Sequence, residues 1–96
     1  MAFPVTKGSN AETQTILKDQ WTLVASAVAI AKITNLSKNK PTIFFHHTLA
    51  GDPAPTDLSV VKDTLYPDYD NFDGAGVDRN LYLYPVDEDV EIRMEA

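Results

Sequence analysis

The residues best suited to chemistry lie in Asp68-Tyr-Asp-Asn-Phe-Asp-Gly74 and in the pair His46-His47. Carboxylates ahead of a glycine suggest a calcium loop. Calcium takes several hard oxygens, and an EF-hand supplies them at alternate positions, with Gly at the sixth and a bidentate Glu at the twelfth. Here Asp73 and Gly74 fall one place late, and the twelfth position is Arg79, a cation where an acid is needed. Asp68, Asp70 and Asp73 therefore read first as a solvated acidic loop held down by Tyr66, Tyr69 and Phe72. Calcium binding is the alternative. His46 and His47 are adjacent on an expected strand, so their side chains point to opposite faces and cannot grip one ion together. One is expected in the core with a hydrogen-bonded partner, the other near a rim. A nucleophile needs a base held beside it. Ser26, Ser37 and Ser59 stand in strand or turn contexts without the glycine-flanked elbow that activates a serine. No catalytic, cofactor-binding or metal-binding residue is assigned, and a non-enzyme is expected.

A second kind of chemistry is aromatic. Tyr66, Tyr69, Tyr82, Tyr84 and Trp21 are broad amphipathic rings. A row of them on a sheet can stack on a sugar or pack against protein. Self-association is the favoured expectation and a glycan- or receptor-binding platform the alternative. The residues expected to meet a partner are Phe3, Val5, Leu17, Tyr66, Tyr69, Phe72, Tyr82 and Tyr84.

The 96 residues make one small domain with no cysteine, which removes disulfides and thiolate metal sites. The net charge of −6 argues against general nucleic-acid binding, which requires a positive footprint. The charge is also uneven. Residues 1–40 carry five Lys against Glu12 and Asp19, whereas residues 41–96 carry Lys62, Arg79 and Arg93 against twelve acids. Such asymmetry steers assembly and sets register more than it adds affinity. The longest apolar run, Leu23 to Ala31, spans nine residues including Ser26, far short of the roughly 20 needed to cross a bilayer. No membrane association and no secretion signal are expected, which also makes the glycosylation sequon at Asn35-Leu-Ser37 a chance match.

The elements that must position these residues read as strands. Residues 1–18 are expected to form an extended N-terminal arm anchored by Phe3 and Val5, followed by a single β domain over residues 19–96. Trp21-Thr-Leu-Val-Ala-Ser alternates, placing Trp21, Leu23 and Ala25 on one face. The β-branched Val28, Ile30, Ile33 and Thr34 favour continuing the strand over a helix. The turn cluster Asn35 to Pro41 then leads into Thr42-Ile-Phe-Phe-His-His-Thr, expected to pair back as an antiparallel hairpin. Residues 49–57 read as a stiff Pro-rich loop, Leu58 to Lys62 as a short strand, and residues 63–76 as an irregular connection long enough to be functional. Leu81-Tyr-Leu-Tyr84 alternates. Val90-Glu-Ile-Arg-Met-Glu95 is the cleanest amphipathic strand, with Val90, Ile92 and Met94 inward. About six strands in all predict an all-β fold, a small antiparallel sandwich or barrel.

Three features together resemble the small β-sandwich virion proteins of tailed bacteriophages. One is Trp21-Thr-Leu-Val-Ala running into Ile33-Thr-Asn-Leu-Ser. Another is the Pro41-led strand followed by the Ala54-Pro-Thr loop. The third is Leu81-Tyr-Leu-Tyr before a charged terminal strand. The resemblance spans about residues 20–95 and departs from the pattern in the insertion at residues 63–76 and in the acidic second half. It implies a non-enzymatic virion protein assembled in the host cytoplasm. Such a protein coats the capsid as a decoration or cement subunit or belongs to a head or tail accessory structure. Its implied partners are the major capsid protein or other virion subunits, and it often forms a homotrimer.

Overall fold

A computed structural model describes residues 3–96; Met1 and Ala2, the tip of the expected arm, lie outside the described residues. Among the described residues the chain forms nine strands and no helix. They are β1 (Val5–Thr6), β2 (Glu12–Ile16), β3 (Thr22–Val28), β4 (Ile30–Asn35), β5 (Ile43–Leu49), β6 (Asp63–Thr64), β7 (Tyr69–Asp73), β8 (Arg79–Pro85) and β9 (Val90–Glu95). One sheet has the order β1-β3-β8-β5-β6 and the other β2-β9-β4-β7. The pairing is antiparallel except for β1 against β3. The fold is a small β-sandwich, as predicted, with more strands than the pattern marked.

The alternating sequences explain β8 and β9. Val90, Ile92 and Met94 are fully buried between the sheets, while Glu91, Arg93 and Glu95 face solvent. Leu81 and Leu83 on β8, Ile33 on β4 and Ile43 on β5 complete the centre of the core. Burying such side chains contributes about 1.5–3 kcal/mol each, the main favourable term available to a chain this small.

The segment from Trp21 to Thr34 is not one strand. Two register shifts in the β3–β8 pairing break the alternation. Val24 and Ala25, neighbours in sequence, are therefore both fully buried, and Trp21 and Leu23 lie opposite the face expected to continue through Ala25. At the second shift Ala27 adopts a left-handed φ of 55°. Its amide donates to Asn80 Oδ1 at 2.9 Å, so the half-buried N–H is not orphaned. The chain then leaves one sheet after Val28 and enters the other at Ile30. Every connection except β5 to β6 passes between the sheets in this way.

That switch overturns the expected hairpin. The Asn35–Pro41 turn is present, but it carries the chain across the sandwich. β4 pairs with β7 and β9, while β5 pairs with β8 and β6. Leu58 to Lys62 is also not a strand; the short strand is β6, just after it. The expected irregular connection contains the five-residue β7. The expected arm is extended but built into both sheets. Val5 is buried in the core beside Ala25, and β2 runs along β9 with Ile16 buried. Phe3, Val5 and Ile16 of this segment cover the domain's own core.

Candidate functional site

The free edge of β7 gathers most of the chemistry-bearing side chains. β7 exists as a strand because β4 supplies a partner and because its residues divide by face. Asp70 and Phe72 turn inward, while Tyr69, Asn71 and Asp73 turn outward. Gly74 ends it, donating its amide to Ala29 O at 2.7 Å, at the point where the chain changes sheets. The Gly74–Ala29 bond and the bond from Asn35 N–H to Asp68 O at 2.9 Å fix the phase of the ladder. Antiparallel pairs exchange hydrogen bonds at every second position. Residues 70 and 72 therefore bond to β4, and the backbone N–H and C=O groups of Tyr69, Asn71 and Asp73 point away from the sheet.

Three adjoining hollows surround this strand. One of about 370 Å³ lies among Tyr66, Pro67, Tyr69 and Asn71. A second, of about 270 Å³, opens between the sheets beside Phe45, His47, Asp63 and Phe72. The third, of about 390 Å³, lies along Ile30, Lys32, Phe72 and Ala96. Tyr66 is 71% exposed, Tyr69 53% and Ile30 64%, so large apolar surfaces stand in water here. Phe72 is half-buried, its ring 5.9 Å from Phe45 and 5.2 Å from His47. Carboxylates of Asp63, Asp68, Asp70 and Asp73 frame the strand. Lys32 Nζ lies 5.1 Å above the Tyr69 ring, and Lys40 Nζ lies 3.7 Å from Asp68 Oδ1.

The carboxylates do not converge on a cation. Among the described residues no group of three or more His, Asp or Glu side chains could hold a metal ion. Strand alternation sends Asp70 and Asp73 to opposite faces, and each accepts a local amide, from Asn71 at 2.9 Å and Ala75 at 2.8 Å.

The other expected partner residues are scattered. Val5 belongs to the core, and Phe3 packs on it, its N–H donating to Gln14 Oε1 at 2.8 Å. Leu17 is exposed, on the far edge after β2. Tyr82 and Tyr84 do share a face with Trp21, but they do not make an open platform, and Tyr82 is only 5% exposed. The loop after β5 is tied across that face at two points. Trp21 Nε1–H donates to Asp57 O at 2.8 Å, and His46 Nδ1 lies 2.6 Å from Val61 O. Trp21 also packs on Tyr84 at 5.3 Å and on His46 at 5.8 Å. These rings form a second small apolar layer outside the sheet.

The two histidines point to opposite faces as expected, but neither lies in the main core. His46 joins the outer aromatic layer. His47 sits at the rim, where β5 runs past the last well-covered core position. Partial burial, then the Arg79 guanidinium and His46, hold the His47 pKa below its ordinary value of 6.5, with Asp63 opposing them. An unfolded chain then takes up a proton near pH 6.5 that the folded chain resists. Stability should therefore be unaffected by this group above that pH and fall as pH drops below it. Urea midpoints measured from about pH 7.5 to 5.5 should decline in the wild type and decline less in His47→Gln. Because the ring is mostly solvated, the difference will be small.

Comparison with protein-family models, with curated proteins and with solved structures found no match for this chain.

Proposed function

We propose that the chain is a non-enzymatic structural protein of a virion, a capsid decoration or cement subunit that binds the head shell of a tailed phage. The observation that carries this reading is the β7 edge, where exposed Tyr66, Tyr69 and Ile30 stand together around adjoining hollows. Aromatic side chains at the centre of a contact supply much of the energy of protein association. The sandwich beneath them is well packed, and the segment carrying Tyr66 is held on both sides, by the bond from Leu65 N–H to Ile43 O at 3.0 Å and that from Asn35 N–H to Asp68 O. The contact surface is therefore presented without a large ordering cost. The resemblance to small virion β-sandwiches supplies the partner, the major capsid protein, and favours a trimer. Binding to shells would also stabilise the small domain by mass action.

The test is sedimentation of the purified chain with shells prepared without it, alongside light scattering for its oligomeric state. Tyr66→Ser combined with Tyr69→Ser should weaken shell binding at least tenfold, about 1.4 kcal/mol, with little change in melting temperature. Undiminished shell binding would remove this surface from the contact.

A further inference from the structure

We infer that the free edge of β7 takes an extended, basic segment of a partner subunit as an added strand. The inference deepens the assembly role proposed above by naming the contact chemistry.

The outward backbone groups of Tyr69, Asn71 and Asp73 offer a five-residue template for strand addition. Its rivals are poorer. β1 and β6, which end the other sheet, have two residues each. β2, at the opposite end of the same sheet, is approached by the chain's own start, through the bond from Phe3 N–H to Gln14 Oε1. The hollows on either side of β7 would receive alternate side chains of an incoming strand.

Charge selects the occupant. Asp68, Asp70 and Asp73 lie within six residues, and Asp63 stands across the gap between the sheets. A second copy pairing β7 with β7 about Asn71 would set Asp73 opposite Tyr69 and Asp70 opposite Phe72. It would also make the two Asp70 carboxylates diagonal neighbours and crowd Asp68, Asp70 and Asp73 of both copies along one seam, which disfavours the pair. A strand carrying Lys or Arg meets the opposite sign. Asp70 adds a gate, because its carboxylate holds the Asn71 amide, the central outward donor of the edge. Natural edges are commonly blunted by such charges. An incoming cation can take the carboxylate as the amide passes to the new strand, so a neutral segment gains less than a basic one.

The test uses the intact chain and two capped eight-residue peptides, one of alternating Lys and Val, the other of alternating Glu and Val. Amide exchange is followed by NMR at Tyr69, Asn71 and Asp73. The Lys-Val peptide should slow exchange at Tyr69 and Asp73 at least tenfold more than the Glu-Val peptide at equal concentration. Asn71→Pro should abolish the effect. Its lost N–H faces away from β4, so the ladder is kept, while the ring and missing donor obstruct an added strand. The combined Asp68→Asn, Asp70→Asn and Asp73→Asn variant should lose the preference between peptides. It decides the matter on its own if Asn71→Pro fails to fold.

Equal response to both peptides, protection confined to β2, or no protection would overturn the inference. A dimer joined through β7 would overturn it too, by making a second copy the occupant. A chain that binds shells through Tyr66 and Tyr69 yet ignores the Lys-Val peptide keeps the assembly role and loses the added strand.

Discussion

Leu83→Ala should destabilise the protein by about 2–5 kcal/mol, the largest effect of any single truncation considered. Leu83 is fully buried in β8, the central strand of its sheet, where β3 and β5 flank it through Thr22 and Phe45. Removing three carbons forfeits their transfer free energy and leaves a hole that two packed sheets cannot close. A domain this size has only on the order of 5–15 kcal/mol in hand, so the variant should unfold at much lower denaturant. Urea unfolding followed by Trp21 fluorescence measures it. A midpoint shift worth less than about 1 kcal/mol would mean that β8 is not the packed centre of the sandwich.

Gly74→Ala should cost about 1–3 kcal/mol and should act on the candidate site. A Cβ on Gly74 would stand 2.6 Å from Val77 O, 3.3 Å from Ala29 O and 3.3 Å from Phe72 Cε2. Two of those neighbours are backbone and cannot rotate away. The Gly74–Ala29 hydrogen bond would lengthen, and with it the end of the β4–β7 ladder. The melting temperature should fall by roughly 5–20 °C, given about 4–8 °C per kcal/mol for a domain of this size. Amide exchange should quicken in β7 more than in β8 or β9. Uniform acceleration across both sheets would show that Gly74 supports the whole fold and not the edge in particular.

The parts of the fold legible in the sequence are those with a charged outer face. β9 alternates Val, Ile and Met with Glu and Arg, and its buried face follows from that alone. β3 and β4 could not be divided in the same way. Residues 22–33 are nearly all apolar or small, so no polar residue marks where one sheet ends and the next begins. The switch is set by tertiary demands, visible in the left-handed Ala27 and its Asn80 partner. The hairpin expectation assumed that neighbours in sequence pair. Here β4 finds its partners in β7 and β9, roughly 40 and 60 residues later in the chain.

The candidate site was half legible. Tyr66, Tyr69, Phe72 and the three aspartates read as one cluster in the sequence, and they line the hollows beside β7. That they belong to an edge strand was hidden, because its inward residues are Asp70 and Phe72 and its length is five. The signal available was the alternation ending in Gly74. Tyr82 and Tyr84 misled for the opposite reason. Their strand pattern was clear, but nothing local announced that a loop fastened by Trp21 and His46 would cover their face.

The central claim, a structural subunit bound to a phage shell, is tested most directly by quantitative mass spectrometry of purified virions. The account predicts a fixed copy ratio to the major capsid protein that survives repeated gradient purification. Presence in the lysate with absence from the purified particles would contradict it.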